Sequence, residues 1–303
     1  MSRLLLRPIS YRHVVFPDRA GGSNAAVNFA SAEETATVNS TSPEDHLSAD
    51  EYDNVRFLFH RSGLDVDDYR FETIKRRIPA CVRALRVESL SAARAMVQRS
   101  PEFLKTVLGS LVIGVTGFFR DPTVFEVLGE RVIPQLLSHK NGPKVWSVGC
   151  SEGAELYSVA MLLAERGGLQ RSTLLGTDCR SDALARAREG RYDYFSVKSV
   201  PPELMSRYLK AEGATWRVHP YLRAVTQWRA GNALTTPEPG LWDMILCRNM
   251  SIYMQPPAAA RLWQALENCL RPGGYLVLGK AERPQGTGGL TAVSPCIFRR
   301  DRS

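Results

Sequence analysis

Near Asn141 the hydrophobic rhythm of the chain changes. Lys144-Val-Trp-Ser-Val148 reads as a short buried strand, Gly149 to Gly153 as a glycine turn, and residues 155–166 put Leu156, Val159, Ala160 and Leu163 on one helical face. The alternation then repeats. A strand is expected over 172–177, ended by Asp178, and a short helix over 183–188 behind the capping pair Ser181-Asp182. Further strands are expected over 242–247, 275–279 and 292–299, with a helix over 256–270 and a turn at Pro272-Gly273-Gly274. Strands that alternate with helices need crossover connections, so the pattern predicts an α/β fold with a mainly parallel sheet covered on both faces. Residues 215–228 alternate weakly (Trp216, Val218, Tyr221, Val225) and are expected to form a small antiparallel ribbon inserted over about 213–230.

In an open α/β sheet the ligand lies beyond the carboxyl ends of the strands, at the point where strand order reverses. Here the first strand opens onto Gly149-Cys150-Ser151-Glu152-Gly153, where glycines let backbone approach a ligand closely. Asp178, 25 residues after Gly153, falls where an acid at the end of the second strand can grip both ribose hydroxyls. A dinucleotide would set its pyrophosphate on the following helix N-terminus. Glu152 and Glu155 occupy that position and repel phosphate, whereas the cationic sulfonium and ammonium of S-adenosylmethionine would be attracted. The Leu270-Arg-Pro-Gly-Gly-Tyr-Leu-Val-Leu entry to a late strand leans the same way.

The rest of the chain is organised differently. With 303 residues, at roughly 150 per domain, about two structural units are expected. Residues 1–49 read as a tail: 21–50 are rich in Ser, Thr, Ala, Asn and Glu, with almost no large apolar groups to offset ordering entropy. Ala49-Asp50 can cap a first helix through Val55, Leu58 and Phe59, and residues 50–122 form a small all-helical unit in which Ile74, Ile78, Val82 and Leu85 recur at helical spacing. Pro79 is expected to kink or divide that helix. The unit is basic: eight Lys and Arg between Arg70 and Arg99 face only Glu72 and Glu88, a local net of +6 in a chain of net +8. Such a field attracts nucleic acid, acidic peptide or a membrane surface. The six cysteines and five histidines are too scattered for a structural zinc site, so no metal is expected. Apolar runs fall far short of the ~18–20 residues that span a bilayer. Leu4-Leu5-Leu6 is too short for a signal-peptide core, so a cytoplasmic protein without membrane insertion is expected.

Three strings resemble a known family: Gly114-Val-Thr-Gly-Phe-Phe-Arg-Asp121, Trp146-Ser-Val-Gly-Cys-Ser-Glu-Gly-Ala-Glu-Leu-Tyr-Ser158 and Trp242-Asp-Met-Ile-Leu-Cys-Arg-Asn-Met-Ser-Ile-Tyr253. The resemblance is to the CheR-type chemotaxis receptor methyltransferases and runs from about Phe57 to Arg299. It implies a Rossmann-like, S-adenosylmethionine-dependent methyltransferase domain over 123–303, behind the small helical unit. The implied activity is methyl transfer to glutamate side chains on the cytoplasmic helices of chemoreceptors. By matching position, Thr116 and Arg120 would contact the methionine end of the cofactor, Glu155 would contact the cofactor, Asp178 would hold the ribose, and Asn232 with Ala233 would lie beside the adenine. Gly149 and Gly153 would let the backbone approach, Asn249 and Met250 would line the methionine moiety, and Tyr253 would lie beside the methyl opposite Arg120. Arg76 and Arg77 would attract the acidic receptor helices. The chain departs from the pattern in several places. Gly114 stands where Asn is usual, Ala154 replaces a glutamate, Lys280-Ala281-Glu282 replaces His-Ser-Glu, and Pro79-Ala80-Cys81 falls where arginines continue. A lost hydrogen bond to a charged group costs ~1.5–3 kcal/mol, so affinity or partner would differ from the typical member. The ribbon is short, which points to no dependence on a receptor C-terminal pentapeptide, and a monomer is expected. Two alternatives stay open here: a module that binds S-adenosylmethionine with weak or no turnover, and a methyltransferase acting on nucleic acid or another protein.

Overall fold

The fold is described from a computed structural model over residues 46–112, 114, 116–139 and 141–302. Residues 1–45 of the expected tail lie outside the described residues. Four helices come first: α1 (Ala49–His60), α2 (Phe71–Leu85), α3 (Leu90–Arg99) and α4 (Leu104–Leu111). The cap of α1 is Ser48, not Ala49-Asp50. Ser48 Oγ accepts from the Glu51 N–H at 3.2 Å, and the Glu51 carboxylate accepts from the Ser48 N–H at 2.8 Å, a reciprocal pair that satisfies two orphan donors. Val55, Leu58, Phe59, Ile74, Cys81, Leu85, Val97 and Val107 join in one apolar core. Pro79 does not divide α2: the helix runs through all 15 residues. Its proline sits on the exposed side, where water can serve the carbonyl that loses its intrahelical donor.

Beyond α4 the chain passes α5 (Pro122–Val127), a π turn (Leu128–Val132) and α6 (Ile133–Leu137) before entering the sheet. The strands are β1 (Lys144–Val148), β2 (Thr173–Asp178), β3 (Arg191–Asp193), β4 (Leu209–Glu212), β5 (Thr215–Val218), β6 (Thr226–Ala230), β7 (Trp242–Cys247), β8 (Leu270–Leu278), β9 (Leu290–Ser294) and β10 (Ile297–Arg300). Between them lie α7 (Ala154–Glu165), α8 (Ser181–Glu189), α9 (Tyr194–Val197), α10 (Pro202–Tyr208), α11 (Pro220–Arg223) and α12 (Pro256–Cys269). Seven strands make one sheet in the order β6-β2-β1-β7-β8-β10-β9. The run from β6 to β8 is parallel, and β10 and β9 are added antiparallel. This is the Rossmann-like α/β sheet expected from the sequence.

Alternation along β1 shows how both faces are filled. Val145 points into the core shared with α7, while Trp146 and Val148 point into the core shared with α12. Trp146 is fully buried, and its indole N–H donates to Thr177 Oγ1 at 2.9 Å.

Three segments differ from expectation: residues 272–274, read as a turn, lie within β8, which starts at Leu270 and shifts register against β7 there. The inserted small sheet is three-stranded, order β3-β5-β4, and it ends at Val218. Residues 226–230 are not part of it: β6 pairs in parallel with β2, from Leu174 opposite Thr226 to Asp178 opposite Ala230, and forms an edge of the main sheet. Its polar composition, Thr-Gln-Trp-Arg-Ala, suits an edge strand and hides it from an apolar-run search. The single strand expected over 292–299 is instead a hairpin, β9 and β10.

Trp146→Ala would lose the buried volume and the indole bond together. A destabilisation of about 3–5 kcal/mol is expected, read as a lower midpoint in urea unfolding followed by circular dichroism.

Candidate active site

Strand order reverses at β1, whose neighbours β2 and β7 lead away in opposite directions. A cleft opens there, with about 1210 Å³ of empty space counted out to its mouth. Its floor is the carboxyl ends of β1, β2, β6 and β7. Its roof is the helical unit, through Phe59, Leu64, Tyr69 and Ile74, and the segment around Thr116 to Arg120. Thr116, Arg120, Gly149, Glu155, Asp178, Asn232, Ala233, Asn249, Met250 and Tyr253 all line it. Gly153 does not: it is the N-cap of α7, packed under Trp228 and Ala187. Nor does the basic pair on α2 reach the cleft. Arg76 is exposed, and Arg77 donates through Nε to the Ser110 carbonyl at 2.7 Å, tying α2 to the end of α4.

Each lining residue is held by its own chemistry. Gly149 has φ +60°, and a Cβ there would lie 2.6 Å from Met250 Sδ, so glycine is what lets the two strand ends meet. Asp178 is fixed from both sides. Its Oδ2 accepts from the Ser151 N–H at 2.8 Å, and its Oδ1 accepts from the Arg180 N–H at 2.9 Å and from Arg180 Nε at 3.2 Å. Asn232 is engaged with protein as well as cleft: its Oδ1 accepts from the Leu234 N–H, and its Nδ2 donates to the Gly63 carbonyl at 3.1 Å, across to the helical unit. Tyr253 is also a joint, its carbonyl accepting from the Arg70 N–H at 2.9 Å while Arg70 Nε donates to the Met254 carbonyl.

The Thr-x-Phe-Phe-Arg string acquires a physical meaning. Phe118 stacks on Tyr157 and meets Tyr192 edge-on, while Phe119 packs on Phe125 with its N–H donating to Ser158 Oγ at 3.0 Å. Both rings are buried, and Arg120 is thereby presented at the exposed rim.

Two positioning residues went unnoticed in the sequence. Arg248, directly after β7, is buried and pairs with Glu155 at 3.2 Å and Asp121 at 2.8 Å, while also donating to the Arg120 carbonyl at 2.7 Å. Glu282 is 2% exposed. One of its carboxylate oxygens accepts from the N–H of Met250 and of Ser251 and from Ser251 Oγ; the other accepts from the N–H of Asn249 and of Gly279, all at 2.7–2.9 Å. It holds Asn249 at φ +57°, a conformation that costs an ordinary L-residue free energy. Both residues stand inside quoted strings; what was missing was a sign that they face inward.

The electrostatics refine the sequence reading. Glu152 pairs with Arg186 at 2.8 Å and does not line the cleft, so it repels nothing there. Glu155 does line it. Burial pushes its carboxyl above the ordinary range, and the Arg248 charge pulls it part of the way back. Cys179, the half-buried thiol of the cleft, is pushed up to about 12 by burial and by Asp178, so it stays protonated at neutral pH and is no nucleophile. Among the described residues no cluster of His, Cys, Asp and Glu could hold a metal.

With Glu155 in its first turn, α7 offers no open N-terminus to a pyrophosphate, and Asp178 at the end of β2 lines the cleft as a fixed acceptor. Such a cleft in such a sheet is that of an S-adenosylmethionine-dependent methyltransferase. Residues 114–294 match the family model of the CheR methyltransferase SAM-binding domain. The chemotaxis protein methyltransferase 1 of Pseudomonas aeruginosa is 30% identical over 75% of this chain and 87% of its own length. The chemotaxis protein methyltransferases of Vibrio parahaemolyticus and Listeria innocua are each 28% identical, over 79% and 73% of this chain and 91% and 85% of theirs. The chain belongs to the CheR methyltransferase family, and S-adenosylmethionine is its cofactor. Among solved structures, PKMT2 from Rickettsia typhi in complex with AdoHcy shares 15% identity and a TM-score of 0.35 over 55% of this chain and 26% of its own.

Glu282→Ala would strand buried N–H groups on the Asn249 turn. A loss of about 3 kcal/mol or more is expected, seen as a depressed melting temperature together with weakened binding of S-adenosylhomocysteine in titration calorimetry.

Proposed function

We propose that this chain transfers the methyl group of S-adenosylmethionine to glutamate side chains on chemoreceptor cytoplasmic helices, giving glutamate methyl esters in chemotactic adaptation. The observation that carries the reading is the convergence, in one cleft, of Thr116, Arg120, Glu155, Asp178, Asn249, Met250 and Tyr253, drawn from separate segments of the chain. The cofactor supplies a methyl on a positive sulphur, which a carboxylate oxygen can displace in line, with the C–S electron pair returning to a now neutral thioether.

A glutamate is ionised at neutral pH, near its reference pKa of ~4.3, so the chain needs no general base. Its work is placement, which can supply ~7–11 kcal/mol, and exclusion of water from an ester-forming site. Asp178, locked by Ser151 and Arg180, is the acceptor for ribose hydroxyls. Asn232 and Ala233 form the wall for the adenine, and Gly149 leaves its backbone open at the turn. Thr116, Glu155, Asn249 and Met250 surround the methionine end. Arg120, on the rim, draws the incoming carboxylate toward the methyl, and half-buried Tyr253 shapes the methyl pocket from the opposite side. Arg76 lies exposed on α2, whose basic residues favour an acidic helix over a neutral one.

The partner is protein and not nucleic acid: Cys150 and Cys179, the thiols in the cleft, are pushed up by burial, and exposed basic residues such as Arg76 and Arg83 lie on α2, away from the cleft. The small sheet joins β4 to β5 by only two residues, Gly213 and Ala214, which supports binding without a receptor pentapeptide. The chain works as a cytoplasmic monomer; no helix among the described residues is long and apolar enough to cross a membrane.

Wild type is expected to bind S-adenosylmethionine in the low micromolar range, about −8 kcal/mol at 1 μM, and its demethylated product at least as well. Asp178→Ala should weaken both at least tenfold in titration calorimetry; unchanged affinity rejects this placement of the ribose. Arg120→Ala should abolish labelling of receptor glutamates from methyl-tritiated cofactor, and labelling at the normal rate would show that the arginine has another role.

A further inference from the structure

One buried cation in the cleft does more than hold Asp178. Arg180, the N-cap residue of α8, is 5% exposed and lines the cleft beside Asp178. Its Nε bonds Asp178 Oδ1 at 3.2 Å, and its Nη2 donates to Ser151 Oγ at 2.9 Å. Ser151 Oγ in turn donates to the Gly114 carbonyl at 3.0 Å. The guanidinium therefore spans from the ribose carboxylate, through the glycine turn after β1, to the segment that leads from the helical unit to Thr116.

Gly114 is what makes the span possible. A Cβ built on it would overlap Arg180 Nη2, Cζ and Nη1, all nearer than 3.0 Å, so the flat guanidinium lies against the glycine's Cα with no room for any side chain. The space is not a loop's slack, since the atoms that fill it are planar and held by two partners. This is the position at which the family resemblance leads one to expect Asn. In this chain the Arg180 guanidinium occupies the volume that a side chain at 114 would enter.

We propose that Arg180 is a positioning residue that latches the segment around Gly114 onto the ribose end of the cleft, and that Gly114 and Arg180 are a matched pair. Through Ser151 the latch sets the height of the roof that carries Thr116. It rests on the reading of Asp178 as the ribose acceptor. Lysine could not substitute, because a single ammonium cannot lie flat on Gly114 while bonding both Asp178 and Ser151.

The test is titration of the full chain with S-adenosylhomocysteine, using wild type, Arg180→Ala, Arg180→Lys, Gly114→Asn and the double variant Gly114→Asn/Arg180→Ala. Loss of one charge-assisted bridge predicts about tenfold weaker binding in Arg180→Ala and in Arg180→Lys. Gly114→Asn alone should bind still more weakly, because the new Cβ evicts a buried cation. Removing Arg180 as well should restore affinity to at least the level of Arg180→Ala. That reversal of sign is the result a merely structural role would not give. Wild-type affinity in Arg180→Ala, or a double variant no tighter than Gly114→Asn, overturns the proposal. If both Asn variants fail to fold, the two single Arg180 variants decide it, with thermal unfolding run beside them to separate a local loss from a global one. Failure of the ribose reading is distinct: it shows as wild-type affinity in Asp178→Ala.

Discussion

The site depends on one buried guanidinium. Arg248 follows β7 and reaches two carboxylates supplied by remote parts of the chain, Glu155 in the first turn of α7 and Asp121 just past the Phe-Phe-Arg turn. Removing water from such a cation is costly, and the cost is recovered only where its partners are already in place. The two phenylalanines meet that condition by pinning the turn to α7, and Ser147 meets it by donating to the other oxygen of Glu155 at 2.8 Å. Strand, helix and rim are thus fixed against one another at the point where Arg120 and the strand-end Asn249 must face the same space.

The same logic recurs at the two acids that line the cleft and at Glu282 behind its Asn249–Met250 wall. Glu155 is matched by Arg248, Asp178 by Arg180, and Glu282 by a fan of backbone and hydroxyl donors. None of these carboxylates is a loose charge waiting for a ligand. They are rigid acceptors, and rigidity is what a reaction governed by alignment requires.

Much of this was legible in the sequence where periodicity and position carry the signal. The limits of β1 and β7, the crossover helices and the acid ending β2 follow from apolar rhythm and motif spacing, whereas most of the cleft-lining set around that acid is implied only by the resemblance to the CheR methyltransferases. What was hidden was hidden for physical reasons. β6 is an edge strand of mixed polarity, so the alternation that reveals a strand is diluted and its sheet cannot be assigned. Pro79 reads as a break, yet on the wet face of α2 it is tolerated. Glu152 and Glu155 look equivalent on paper, but the turn sends one outward to Arg186 and the other inward to Arg248. Arg180, Arg248 and Glu282 look like surface residues until burial is known.

The joint between the helical unit and the sheet has a mechanical consequence. α2 begins immediately after Arg70, whose backbone and side chain grip the carbonyls of Tyr253 and Met254, and Tyr69 makes an isolated β-bridge to Met254. The start of α2 is therefore tied directly to Tyr253 and Met254 in the wall of the cleft. The helix and this wall of the cleft therefore share one anchorage, so neither can shift without disturbing the bonds that Arg70 makes.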